Sequence, residues 1–254
     1  AMADKINRTV VVTGGTKGIG LEIVRAFLAK GDRVFAAARS EVDGFGAQAP
    51  GAEFVRTDVR QRQEMEALMD RATKDSGRVD VMINNAGISI WKKLSGIDEE
   101  FADLLLETNL KGALWGCQAA AARMSNGGVI INVASLAGKR GSANNSVYCA
   151  SKFGMVGLTQ ALAKELGPAG IRVNGVCPVY VNTQSLLSNL SGDHPEVGEM
   201  KGQAFLDQWG SRSAALQRLP TGEECASLCV YLASEAAGAI TGQNINVDCG
   251  VLPQ

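Results

Sequence analysis

The sequence predicts an α/β fold: one open, doubly wound parallel sheet of seven strands with helices on both faces. Three observations predict it. Seven short runs rich in Val and Ile recur along the 254 residues, several of the segments between them are long enough to be crossover helices, and the first run ends in a glycine-rich turn where a strand hands over to a helix. Strands joined by helical crossovers run parallel, and a parallel sheet is buried on both faces, so its strands read as nearly continuous apolar runs.

The first strand is Thr9–Thr13, built on Val10, Val11 and Val12; after the glycine turn a helix is expected over residues 20–30. Strands follow at Arg33–Ala38 and residues 53–57, then a helix over 61–76 and a strand over 79–84. A long helix over 99–124 leads to a strand at 129–134, and a helix at Ser146–Leu166 leads to a strand at 171–177. The last strand is Asn244–Val247. Residues 183–220 break the rhythm. They carry Ser, Gly, Asp, His and Pro without a strand, over the length of a functional lid, and are expected to form a mobile substrate loop. No repeat, low-complexity tract or linker divides the chain, so residues 1–254 are expected to be a single domain.

Composition narrows the function. The 25 basic and 26 acidic residues leave a net charge of -1, which gives no field that would gather nucleic acid or an anionic membrane, so neither is expected as a partner and a small molecule is. Charges at Asp4, Lys5 and Arg8 stand where a secretory signal needs an apolar centre. The longest uncharged, largely apolar run, residues 112–122, falls well short of the roughly 20 residues that cross a bilayer. The expected location is cytoplasmic. The six cysteines form no Cys-x-x-Cys pair and have no histidine nearby, so they read as free thiols in a reducing compartment and no metal site is expected. Cys225 and Cys229 share a helix face, which suits two small buried side chains packing together. His194 is the only histidine, which excludes a histidine-based triad or a multi-histidine metal site within one chain.

The glycine turn points to a phosphate. Unpaired N–H groups and the helix dipole favour negative charge at the first turn of a helix, and glycine lets the backbone approach such a group closely. The spacing of Gly14, Gly18 and Gly20 after Thr13 matches neither G-x-G-x-x-G nor the P-loop ending in Gly-Lys-Ser/Thr. It resembles the T-G-x-x-x-G-x-G motif of the short-chain dehydrogenase/reductase family. The resemblance continues through Asp58-Val59, Asn84-Asn85-Ala86-Gly87, Asn109, Ser135, Tyr148-x-x-x-Lys152, and Pro178 followed by Val181 and Thr183, so that it spans nearly the whole chain.

The resemblance implies a Rossmann-like fold and a nicotinamide dinucleotide cofactor. It makes Gly14, Gly18 and Gly20, with Lys17 and Ile19, the pyrophosphate cradle, and Asp58 and Val59 adenine contacts. Asn85, Val181 and Thr183 become contacts toward ribose and nicotinamide, with Ala86, Gly87 and Pro178 beside them. Asn109, Ser135, Tyr148 and Lys152 become the catalytic set, Asn109 anchoring a water relay behind the lysine. Family members are commonly tetramers or dimers, which here would join through the helices at 99–124 and Ser146–Leu166. Ala119 to Ala122 would allow such close helix approach, and packing within the chain would use them equally well.

Two residues bear on which cofactor. NAD-preferring enzymes end the second strand with an acid that accepts from the ribose 2'-hydroxyl. Ala38 holds that place here, followed by Arg39, and Lys17 lies in the glycine turn; the two cations either flank a 2'-phosphate or are ordinary surface charges. NADP(H) is the expected cofactor, preferred over NAD(H).

The expected chemistry is proton management during hydride transfer. Tyr148 and Lys152 stand four apart on one helix face, and Ser135 ends a strand thirteen residues before the tyrosine. A tyrosine at its usual pKa of about 10 is a poor base at neutral pH, and an adjacent ammonium together with the cationic oxidised nicotinamide is expected to lower it so that Tyr148 exchanges a proton with an alcohol or carbonyl oxygen. Ser135 would donate a hydrogen bond to the same oxygen, and Lys152 would also hold the ribose hydroxyls.

Two positions depart from the family: Val179 and Cys249 stand where glycine is usual. Trp91 and Trp209 are candidates for the substrate pocket or for packing, and Cys149, pointing away from its neighbour Tyr148, is expected in the core. The substrate is expected to be a small carbonyl compound or secondary alcohol. Within 183–220, Asp193, Glu196, Glu199 and Asp207 outnumber Lys201, Arg212 and Arg218, which disfavours the alternative of a 3-oxoacyl-carrier-protein-type reductase. A catalytically silent NADP(H)-binding sensor is a further alternative. The extended sugar-nucleotide epimerases usually carry T-G-x-x-G-x-x-G, which is absent here.

Overall fold

The computed structural model describes residues 8–125, 127–183, 186–187 and 202–253. Seven strands form one parallel sheet: β1 (Thr9–Thr13), β2 (Arg33–Ala38), β3 (Glu53–Arg56), β4 (Val81–Asn84), β5 (Gly128–Val133), β6 (Ile171–Pro178) and β7 (Asn244–Val247). Their order is β3-β2-β1-β4-β5-β6-β7, every neighbouring pair parallel. The helices are α1 (Gly18–Ala29), α2 (Phe45–Gln48), α3 (Arg62–Thr73), α4 (Glu99–Leu106), α5 (Gly112–Ala121), α6 (Ser146–Leu166), α7 (Gly202–Ser213) and α8 (Gly222–Leu232).

Alternation along the strands divides the core in two. Val10 and Val12 pack with Ile23, Val24 and Phe27 of α1 and with Cys229 and Leu232 of α8. Val11 points the other way, with Phe35 and Met82, onto Met65 and Leu68 of α3, Cys117 and Ala120 of α5, and Ala163 of α6. Each large side chain buried this fully contributes about 1.5–3 kcal/mol. Ala119 and Ala120 are therefore occupied within the chain, which is the intramolecular alternative. Among the described residues no helix is long and apolar enough to cross a membrane.

The strand order reverses between β1 and β4, and a crevice opens at the carboxyl ends of strands on either side of such a switch point. The glycine turn leaves β1 there and the Asn85-Ala86-Gly87 turn leaves β4, so the topology alone brings the two motifs together.

Two expectations need correction. The helix over 99–124 is broken: α4 and α5 are separated by a π-helical turn, Glu107–Lys111, whose wider ring turns Asn109 fully inward. Residues 183–220 are not irregular throughout, because Phe205, Leu206 and Trp209 recur at helical spacing and seat α7 against Tyr180 and Leu219. The remaining part of that expected loop, with Asp193, His194, Glu196, Glu199 and Lys201, lies outside the described residues. Helix α8 carries Cys225 and Cys229, both buried, on one face as the sequence leads one to expect. It starts at a capping box in which Thr221 accepts from the Glu224 N–H and Glu224 accepts from the Thr221 N–H.

Candidate active site

A cavity of about 440 Å³ lies where β1, β4, β5 and β6 end, within the range of small-molecule sites. Its floor is the glycine turn. Gly14 holds φ at +64°, and a Cβ on Gly20 would drive into the Gly14 carbonyl, so both positions demand glycine. Asn85 locks this turn: its Nδ2 donates to the carbonyls of Thr13 (3.0 Å) and Gly14 (3.2 Å). Thr13 Oγ1 in turn accepts from the N–H groups of Asn85 and Ala86, each at 3.1 Å. Asn85 lines the cavity, and its amide donates to the turn that holds the two motifs together. Lys17 precedes α1 without a side-chain cap, the first turn carries no acid, and Lys17, Gly18, Ile19 and Gly20 line the cavity.

Ser135, at the end of β5, accepts the Ala137 N–H (3.1 Å) and hydrogen-bonds the Tyr148 phenol. Tyr148 and Lys152 lie one turn apart on α6 and line the same cavity as Ser135. Lys152 is only 4% exposed; its Nζ donates to the Val133 carbonyl (2.9 Å) and lies 5.8 Å from the centre of the tyrosine ring. Burial lowers the amine from its usual 10.5 to about 8. Burial also raises the Tyr148 phenol above its usual value, with the Ser135 hydrogen bond pulling it back in part. The sequence leads one to expect a phenol lowered by its neighbour. In the chain by itself, desolvation of both groups outweighs their mutual attraction.

Asn109 does not line the cavity. Its amide clasps the backbone of Ile88, accepting from the N–H at 2.8 Å and donating to the carbonyl at 2.9 Å, and also donates to Ser151 Oγ at 3.1 Å. Gly87 fits between: a Cβ there would lie 3.3 Å from Asn109 Oδ1 and 3.6 Å from Lys152 Nζ. Ala86, Gly87, Pro178, Val181 and Thr183 all reach the cavity wall.

Three expected cofactor residues sit apart from the cavity wall. Arg39 is exposed just beyond β2, while Val59 is buried under Gly112. Both Asp58 oxygens are taken by Arg60, at 2.6 to 3.1 Å. The Arg60 guanidinium holds the Asp58 carboxyl below its usual range, and Arg39 adds a smaller attraction that places it nearby.

Of the departures, Val179 lines the cavity and packs with Val251 and Leu252, and Cys249 holds φ at +55°, a left-handed backbone that explains why glycine is usual there. Trp91 and Trp209 both line the cavity, and Tyr180 meets Trp209 edge-on at 5.0 Å. Cys149 is buried. Burial pushes the Cys225 thiol up to about 12, and that of Cys229 upward too. Arg140, Ser142, Asn145 and Tyr180 also line the cavity and were not anticipated. The available signal was position alone, the first three falling between Ser135 and Tyr148.

A family model described as enoyl-(acyl carrier protein) reductase matches residues 14–252. The chain is 38% identical to a protein of Streptomyces virginiae named for the ketoacyl reductase of the monensin polyketide synthase, over 99% of each chain. It is 33% identical to 3beta-hydroxysteroid dehydrogenase 2 of Eggerthella lenta, over 96% of this chain and 94% of that one. Among solved structures, a phenylalanine-to-tryptophan variant of actinorhodin polyketide ketoreductase with NADPH superposes with a TM-score of 0.88 at 33% identity, covering 98% of this chain and 99% of that one.

Proposed function

The chain belongs to the short-chain dehydrogenase/reductase family, and from that premise we propose that it is an NADP(H)-dependent reductase of a small-molecule carbonyl, with Tyr148 as the proton donor. Membership makes it an oxidoreductase of carbonyl and alcohol groups. The observation that carries the finer reading is that Ser135, Tyr148 and Lys152 share one cavity with the glycine turn.

The residues present fit a dinucleotide. The uncapped first turn of α1, free of carboxylates, suits a pyrophosphate. Lys17 and Arg39 have no carboxylate ion pair among the described residues, and Asp58, the acid near Arg39, is already paired with Arg60, which offsets its repulsion of a 2'-phosphate. When bound, NADPH supplies the hydride.

The chain's own residues manage the proton. Burial keeps the Tyr148 phenol protonated through neutral pH, which suits an acid in the reductive direction. Tyr148 gives that proton to the carbonyl oxygen as charge develops on it, while the Ser135 hydroxyl donates to the same oxygen. Lys152, held on the Val133 carbonyl, stabilises the phenolate that remains and reaches toward the ribose hydroxyls. Asn109 positions the Gly87–Ile88 backbone against the amine.

The test is oxidation of NADPH and of NADH over a panel of ketones. NADPH is expected to be preferred, and Arg39→Asp to lower its kcat/KM about 10- to 100-fold while sparing NADH, the size of one lost charge-assisted contact. Indifference to Arg39→Asp removes the cofactor assignment; silence on every ketone removes the reductase.

A further inference from the structure

The cofactor and the proton donor leave part of the cavity wall unexplained. Arg140, Ser142 and Asn145 come from the connection between β5 and α6 that also supplies Ser135 and Tyr148. The Arg140 guanidinium is exposed on the cavity rim and has no carboxylate or carbonyl partner among the described residues. Asn145 is the opposite case: it is 4% exposed, stands at the N-cap of α6, and yet its side chain does not cap the helix, and its buried Oδ1 has no partner. A buried amide oxygen left unpaired costs about 1–3 kcal/mol, but as an acceptor it takes a donor and not an anion, which leaves Arg140 as the anion-binding group of this wall.

The charges and the apolar surface around these groups define what would complete them. The cavity is lined by three cations, Lys17, Arg140 and Lys152, and by no Asp or Glu among the described residues. Lys17 belongs to the glycine turn and Lys152 to the proton donor, so Arg140 is the cation left over. The cavity wall also carries the large apolar side chains of Trp91, Val179, Leu186 and Trp209.

We propose that the substrate is an oxo compound with a hydrocarbon body and a carboxylate, the carboxylate held by Arg140. This rests on the reductase reading and narrows it to a substrate class. Arginine suits the task because its planar fork matches a carboxylate's two oxygens. The fit is to a free acid; a phosphate-bearing thioester arm presents the same kind of anionic oxygen and is the other source to be distinguished.

The experiment compares 5-oxohexanoate, its methyl ester and a 3-oxoacyl thioester of phosphopantetheine as substrates with NADPH, for the unaltered protein and for Arg140→Gln and Arg140→Lys. The acid is expected to have the lowest KM. Arg140→Gln should raise that KM about 10- to 100-fold with kcat nearly unchanged, leave the ester untouched, and be partly rescued by Arg140→Lys. Equal response of acid and ester overturns the proposal while the reductase stands, and an Arg140 effect confined to the thioester overturns the free acid as substrate. A second readout needs no turnover: calorimetric binding of hexanoate to the protein loaded with NADP+. If hexanoate binds in an Arg140-dependent way and no ketone is reduced, the anion site stands and the reductase reading fails; if hexanoate binding ignores Arg140, the anion site fails.

Discussion

Two clusters of buried polar side chains grow from the same pair of strands, and they are built on opposite terms. Along β4 and β5, Asn84 and Asn132 face each other in register. Asn84 Nδ2 donates to Asn132 Oδ1 (2.9 Å) and to Cys117 Sγ (3.3 Å), Asn132 Nδ2 donates to Thr159 Oγ1 (2.9 Å), and Thr159 donates to the Met155 carbonyl (2.9 Å). Only Asn84 Oδ1 lacks a partner, pressed against Gly116 where a side chain would collide. This cluster is closed: its donors are spent on the helices α5 and α6 that flank it. Just past the ends of β5 and β6, Lys152 and Asn145 are also buried and Ser135 and Tyr148 half-buried, but their cluster opens on the cavity and keeps polar capacity unspent. Buried polarity that is closed fixes the frame, and buried polarity left open is available for chemistry.

The strongest way to break this contrast is to remove one hydroxyl from the open cluster. Tyr148→Phe is expected to lower kcat about 10²- to 10⁴-fold while NADPH affinity and Tm stay nearly constant, because among the described residues the phenol hydrogen-bonds only Ser135. Turnover that persists would make the open cluster structural after all.

In the closed cluster the effects should exchange places. Asn132→Ala leaves the Asn84 amide and the Thr159 hydroxyl buried without their partner, a loss of about 2–4 kcal/mol read in urea unfolding, with kcat of the folded fraction preserved. Unchanged stability, or a loss of kcat at full stability, would show that the two clusters are one functional unit.

The contrast also marks what the sequence reveals. Gly14, Gly20 and the Tyr148–Lys152 pair are legible because their requirements are local: a backbone angle, a close approach, a helical spacing of four. The strands are legible because burial on both faces writes itself as Val and Ile runs. Asn85 lines the cavity, but the destination of its amide is set by how β1 meets β4. The π turn at Asn109 depends on Ile88, twenty-one residues earlier, and no periodicity announces it. Helix α7 hides in a polar segment because only three apolar residues seat it. Arg140 and Asn145 are the least legible, since an unpaired side chain is defined by what surrounds it in space.

The smallest expected effect sharpens the contrast furthest, because it turns on the sign of a stability change at an open-cluster residue. Lys152 holds its proton in the folded chain only to about pH 8, against 10.5 when exposed. Below pH 8 both states are protonated and the folded state bears the full burial penalty, about 3 kcal/mol at 1.36 kcal/mol per pH unit. Between pH 8 and 10.5 the folded state has shed its proton and the unfolded state has not, so the penalty fades as pH rises; above 10.5 it is gone. Lys152→Met removes the penalty but strips the Val133 carbonyl of its donor, a loss of about 1 kcal/mol. The variant should therefore be inactive yet more stable at pH 7 by about 1–3 kcal/mol, with the advantage shrinking in urea titrations as pH approaches 10.5. A variant less stable at pH 7 would place Lys152 with Asn132, as part of the frame rather than as strain retained for the reaction.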